Sequence, residues 1–168
     1  DREGAYGISF PGINMGKNPV QTSIPCFLWT QAITDHQNFT DKSHGLKGRQ
    51  CLKTPIKFLW NFASNTLVNQ HSDINRTKKI LSDDRKCEMI VAIDNVMTAS
   101  TLFADIVLPA ATQIESDDVV LPWGHLWIGW NGAAIDPPGE ACSNTELFRR
   151  LAARLGLDHP SLYDSDEA

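Results

Sequence analysis

Three apolar runs, separated by polar stretches with helical periodicity, organise the middle of the chain. Ile56 to Trp60 is short and aromatic, bounded by Pro55 and by polar residues from Asn61 onward, and predicts a strand. A polar loop, Ser64 to Ser72, follows. Asp73 or Ser72 is then placed to cap a helix that runs through Ile74, Lys78 and Leu81 with charges on its other face. Met89 to Ile93 is continuously apolar, the pattern of a strand covered on both faces, and Asp94 stands at its C-terminal end. A second helix is expected from about Thr98 to Ala104, and a third strand from Asp105 to Pro109, where proline stops it. Strand, helix, strand, helix, strand at these spacings predicts a parallel sheet with crossover helices, an α/β sandwich.

The flanks are less regular. Residues 1–23 are rich in Gly, Pro and Asn and predict irregular backbone. Ile24 to Ile33 is apolar and reads as one buried element, a short helix ending near Asp35, and Thr34 to Thr54 reads as a surface connection. Trp123, Trp127 and Trp130 lie in a Gly-rich segment with no assignable element. Ser143 and Glu146 have the spacing of a capping box. Leu147, Phe148, Leu151 and Leu155 then make one apolar stripe, with Gly156 placed to end the helix. The acidic tail from Tyr163 is expected to fray. Residues 1–54 thus read as lead-in and connection, 55–130 as the α/β segment, and 131–168 as a helix and tail approaching a further domain.

Composition narrows the picture slightly. The 168 residues suit one domain with a core. With 42% hydrophobic and 21% charged residues, wholesale disorder is excluded. A net charge of -5 gives no support to nucleic-acid or membrane-surface binding. No apolar run approaches the roughly 20 residues of a membrane span. The opening Asp1-Arg2-Glu3-Gly4, without Met, reads as the interior of a longer protein. Cys26, Cys51, Cys87 and Cys142 form no CxxC pair, so a zinc or iron–sulfur site built from this chain alone is not expected; mostly buried free thiols are. The sequons at Asn38 and Asn75 read as plain polar residues.

Candidate chemistry gathers at the strand ends. Parallel strands place all their C-termini on one sheet edge, where open α/β sheets bind ligands. That edge would carry the loop Asn65 to Ser72, the turn Asp94 to Thr98, and the segment Pro109 to Thr112. The first loop is dense in amide and imidazole groups and leads into a helix N-terminus, which favours phosphate. Asp94 is able to accept from a ribose hydroxyl or a guanine N–H, and Thr98 to meet a phosphate. Plainer roles stay open beside these: Asn65 and Asn69 as turn formers, Asp94 as the cap of its own turn, His71 as a surface histidine. Neither G-x-G-x-x-G nor G-x-x-x-x-G-K-[ST] occurs. Pattern alone therefore reaches a parallel α/β domain with nucleotide-sized polar loops. A stand-alone nucleotide- or flavin-binding module and a non-enzymatic interaction domain both remain compatible with it.

At these residues a family resemblance enters. Ile56 through Asn75 resembles the catalytic subunits of anaerobic dimethyl sulfoxide reductases, within the molybdopterin oxidoreductase family. Ile93 to Thr98 with Ala104 to Ala110 is similar to that family's D-x-x-x-T … A-D-x-x-L-P signature. Gly4 to Phe10, and Pro138 to Glu140 with Glu146 to Gly156, resemble family segments in the same order. Where many relatives have Asn-Pro this chain has Asn65-Thr66, as in the dimethyl sulfoxide reductase branch, whereas the Trp-rich stretch 121–131 departs from that branch.

The resemblance implies half of a discontinuous, Rossmann-like dinucleotide-binding domain. It implies cofactor contacts at Asn65, Asn69, Gln70, His71, Asp94, Thr98, Asp105 and Pro109, with Asp94 at the nucleoside end. The implied cofactor is molybdenum bis(molybdopterin guanine dinucleotide), with an iron–sulfur cluster and the molybdenum ligand upstream of this stretch. The implied partners are the remaining domains of the parent chain, an iron–sulfur electron-transfer subunit and a membrane anchor. The implied setting is the periplasmic side of a bacterial or archaeal cytoplasmic membrane, and the implied activity is reduction of an S-oxide or N-oxide. No residue here matches a metal ligand, and the segment alone is expected to be inactive and marginally stable.

Overall fold

The computed structural model describes residues 19–69, 73–120 and 127–157. Before the sheet, the chain builds a lobe from helices α1 (Trp29–Thr34) and α2 (Asp41–His44). The expectation of a buried helix ending near Asp35 holds for its last turn and a half: Asp35 N–H closes α1 on Gln31 O at 2.8 Å. Thr34 to Thr54 is more than a surface connection. Phe39 is completely buried and clusters with Ala32 and Leu46, and Ile24, Leu28, Leu52 and Ile56 pack around them. These apolar residues follow no single period, which is why pattern reading passed over the cluster.

The central sheet has three parallel strands in sequence order: β1 (Phe58–Phe62), β2 (Met89–Asp94) and β3 (Ile106–Pro109). Strand β1 begins two residues later than the apolar run and continues through Asn61. That polar residue is buried within the strand because its Nδ2 donates to Ser64 O at 2.7 Å, a satisfied group that costs little to bury. Helices α3 (Thr66–Asn69) and α4 (Ile74–Leu81) make the first crossover, so the expected loop contains one helical turn. Asp73 caps α4 as expected, accepting from Arg76 N–H at 3.1 Å. The second crossover is shorter than the expected helix from Thr98 to Ala104. Only a 3-10 turn forms, Thr101–Phe103, because Thr98 Oγ1 accepts from Thr101 N–H and Thr101 Oγ1 returns to Thr98 O. Such local side-chain bonds compete with continued helix.

The alternation along β2 explains its unbroken apolar sequence. Ile90 packs with Leu67, Val68, Leu81 and Cys87 on the helical side, joined by Leu59 of β1. Val91 and Ile93 point to the other face and are equally buried. Each such aliphatic side chain contributes about 1.5–3 kcal/mol on leaving water. That second face is partly covered by α5 (Asn144–Leu155), whose Phe148 ring lies 6.1 Å from both Trp60 and Phe62. Ser143 Oγ caps α5 by accepting from Glu146 N–H, while the Glu146 carboxylate runs along the helix to Arg150 at 2.7 Å. Gly156 ends the helix at φ 65°.

The Trp-rich segment, unassigned from sequence, holds an antiparallel pair, β4 (Asp118–Val120) and β5 (Gly129–Asn131). At Gly129 a Cβ would stand 2.7 Å from the Trp127 ring, so a larger residue would have to displace that indole. Asn131 Nδ2 ties the pair down through Gln113 O and Ser116 O. Residues 1–18, Trp123 and the acidic tail fall outside the described residues. Of the cysteines only Cys87 is buried; Cys26 is exposed and Cys51 and Cys142 are intermediate, which corrects the expectation of mostly buried thiols.

Candidate functional site

The C-terminal ends of β1, β2 and β3 lie side by side, in the register Phe62 with Ile93 and Asp94 with Pro109. The chain leaves β1 through Ala63, the one non-glycine residue with positive φ (45°) among the described residues, whose N–H still donates to Ile93 O at 2.8 Å. A left-handed alanine costs roughly 1–2 kcal/mol, so the turn that aims the next loop is held by the sheet against its own preference.

Asp94 closes β2 and is half-buried. Its Oδ1 accepts from Asn95 N–H at 2.9 Å and from Val96 N–H at 3.4 Å. Oδ2 has no partner among the described residues. The plain turn-capping role and a ligand role therefore fall to different oxygens of one carboxylate. Val96 and Met97, beside it, are 61% and 64% exposed. An accepting carboxylate flanked by apolar surface suits the polar edge and flat face of a heterocyclic base.

Pro109 lies next to Asp94, and Ala110 N–H donates to Asp94 O at 3.2 Å. Just beyond, Thr112 N–H donates to Glu115 Oε2 at 2.7 Å. Asn65 sits in the loop after β1 with its Oδ1 engaged by Ser100, at 3.0 Å from the backbone N and 2.8 Å from the hydroxyl. Asn69 is exposed at the end of α3. Thr98 is held in its local turn. Asn65, Asp94, Thr98 and Pro109 therefore share one edge, Asn69 lies one helical turn beyond Asn65, and Gln70 and His71 fall outside the described residues.

Asp105 does not join them. It precedes β3, accepts from Ile90 N–H at 2.7 Å through Oδ2 and returns its own N–H to Ile90 O at 2.8 Å. Four residues of strand put it about 13 Å from Pro109, at the opposite edge. The α4 N-terminus is also engaged: the Asp73 carboxylate already occupies it, a poor neighbour for a phosphate. Sequence reasoning missed Ser100, completely buried between two loops. A serine among threonines carries no signal of such a role. Among the described residues no three of His, Cys, Asp or Glu gather as a metal site, and no helix is long and apolar enough to cross a membrane. A cavity of about 520 Å³ opens along β1, lined by Trp60, Phe62, Phe148 and Leu151, on the sheet face instead of at the strand ends.

A family model of molybdopterin oxidoreductases matches residues 10–154. The chain belongs to the molybdopterin oxidoreductase family. It is 44% identical over 160 residues to the dimethyl sulfoxide reductase DmsA of Escherichia coli K12, covering 94% of this chain and 20% of that protein. The DmsA of Haemophilus influenzae is 50% identical over 159 residues, with 93% and 20% covered. Trimethylamine-N-oxide reductase 1 of E. coli K12 is 34% identical over 71% of this chain and 14% of its own length. Among solved structures, acetylene hydratase from Pelobacter acetylenicus superposes with a TM-score of 0.55 at 25% identity, over 76% of this chain and 15% of that one. The chain thus spans about a fifth of the length of the DmsA proteins it matches.

Family membership implies a molybdenum–molybdopterin cofactor for the whole protein. The strand-end residues fit its organic portion. They offer a carboxylate oxygen, an exposed amide and apolar flanks, a set that recognises a heterocycle by hydrogen bonds and contact.

Proposed function

We propose that this chain is the part of a molybdenum oxidoreductase that holds the guanine dinucleotide end of its cofactor, and that the whole protein reduces an S-oxide or N-oxide. The observation that carries the reading is the position of Asp94. One carboxylate oxygen is fixed by the turn and the other has no partner among the described residues, at the C-terminal edge of a parallel sheet in a chain of this family. That second oxygen accepts from the guanine N–H groups or a ribose hydroxyl, and Val96 and Met97 border the base. Asn69 borders the polar remainder and Pro109 the floor, and Gln70 and His71 join them on the resemblance alone. Asp105 is left out of this set because it holds Ile90 at the other edge.

The cofactor supplies the redox chemistry when bound. This chain's residues supply grip and orientation, which fix where the reactive end sits. The relatives' names support an S-oxide or N-oxide as substrate. The resemblance supports the bis form of the dinucleotide and an upstream iron–sulfur cluster. It also supports an iron–sulfur electron-transfer subunit, a membrane anchor and a periplasmic setting.

The test is Asp94→Ala in the full-length parent, with molybdenum and guanine measured per polypeptide. A fall of both to roughly a tenth is expected, since losing a hydrogen bond to a charged group costs ~1.5–3 kcal/mol. Unchanged guanine content in a folded variant overturns the assignment.

A further inference from the structure

Two helix starts at the candidate edge cap each other. Asn65 immediately precedes α3, and its carbonyl accepts from Asn69 N–H at 3.2 Å, so it is that helix's N-cap. Its side chain serves a different element: Oδ1 accepts from Ser100 N–H and from Ser100 Oγ–H. Ser100 is in turn the N-cap of the 3-10 turn Thr101–Phe103. Its hydroxyl accepts from Val68 N–H at 3.2 Å, a first-turn amide of α3 that has no partner inside its own helix. Each cap residue thus satisfies the other element's start, across 35 residues of sequence. Ser100 is completely buried, so water does not replace these bonds when they are lost.

We propose that Asn65 and Ser100 are positioning residues that lock the loop after β1 to the loop after β2, setting the distance between Asn69 and Asp94 across the bound nucleotide. The inference rests on the nucleotide reading above. It also gives Asn65 a role other than direct contact, because the oxygen that would face a ligand is committed to Ser100. Ordinary N-caps act within one element. Here three bonds run between the loops, so loosening either loop loosens both.

The test uses the full-length parent freed of its cofactor, with guanosine diphosphate as probe, comparing wild type, Ser100→Ala, Asn65→Ala, the double variant and Ser100→Thr. Two readouts are taken: amide exchange and probe affinity. In Ser100→Ala, exchange over residues 64–69 is expected to quicken about tenfold while the amides of β2 keep their protection. Probe affinity is expected to fall about tenfold. The double variant is expected to lose more than either single but less than their sum. Ser100→Ala keeps the backbone N–H on Asn65, Asn65→Ala keeps the Ser100 hydroxyl on Val68 N–H, and only the Oγ–Oδ1 bond is shared. Ser100→Thr, which keeps the hydroxyl, recovers affinity.

Unchanged exchange at 64–69 in Ser100→Ala overturns the lock. Faster exchange with unchanged affinity overturns the positioning role. A wild-type parent that does not bind the probe sinks the nucleotide reading itself, and leaves Asn65 and Ser100 as structural caps only.

Discussion

Cys87 stands at the N-terminal foot of β2 with its Sγ against the carbonyls of Lys57 and Met89, at 3.8 and 3.7 Å. Burial is the main force on it and pushes the thiol above its ordinary value of 9.0. The folded chain therefore favours the neutral thiol. That contribution to stability is fully present below the unfolded value and declines as pH rises past it toward the folded one. Two outcomes follow at the bench. At pH 8 iodoacetamide should label exposed Cys26 in the native chain and reach Cys87 only in denaturant. The Cys87→Ala variant should lose the part of the alkaline destabilisation that begins near pH 9, read from denaturation midpoints at several pH values. Equal labelling of both thiols in the native chain would contradict this burial.

Single residues also show how far sequence reaches. Asp94 is legible as a strand end because it follows a continuous apolar run of strand length. Asp105, named through the resemblance alone, stands before its strand and holds Ile90. Which edge a carboxylate occupies depends on strand direction, and the residue alone does not state it. Ser100 was illegible for a different reason: its partners, Asn65 and Val68, are more than 30 residues away, and no local spacing encodes them.

Among the elements, those with local stop and start chemistry were read closely. Asp73 for α4, and Ser143 with Gly156 for α5, act within a few residues of themselves. The turn at 101–103 was overestimated because helical period says nothing of threonines that bind their own backbone. Ser143→Ala should cost about 1 kcal/mol of stability, the ordinary worth of such a cap. Because Phe148 holds α5 against Trp60 and Phe62, the loss should appear as faster amide exchange in α5 ahead of any change in β2. Uniform loss of protection across the sheet would mean that α5 folds only together with the core.

Across the molecule, the sheet ends in two open strands among the described residues, and its rim is apolar. Phe58, Phe62, Met89 and Ile106 all exceed 40% exposure. Strand edges and apolar faces of this size invite pairing with other chains. The isolated chain should therefore unfold at modest temperature with a broad transition, and sediment with a concentration-dependent mass. A sharp, high transition for a strict monomer would show that these faces need no cover.

The central claim is that a nucleotide lies across the ends of the three parallel strands. Its most direct measurement is backbone amide exchange of the full-length parent, freed of cofactor, with and without guanosine diphosphate. The account predicts slowed exchange concentrated at residues 65–69, 94–98 and 109–112, with Asp105 and the Trp60–Phe148 groove unchanged. Protection centred on that groove, or none at saturating probe, would contradict it.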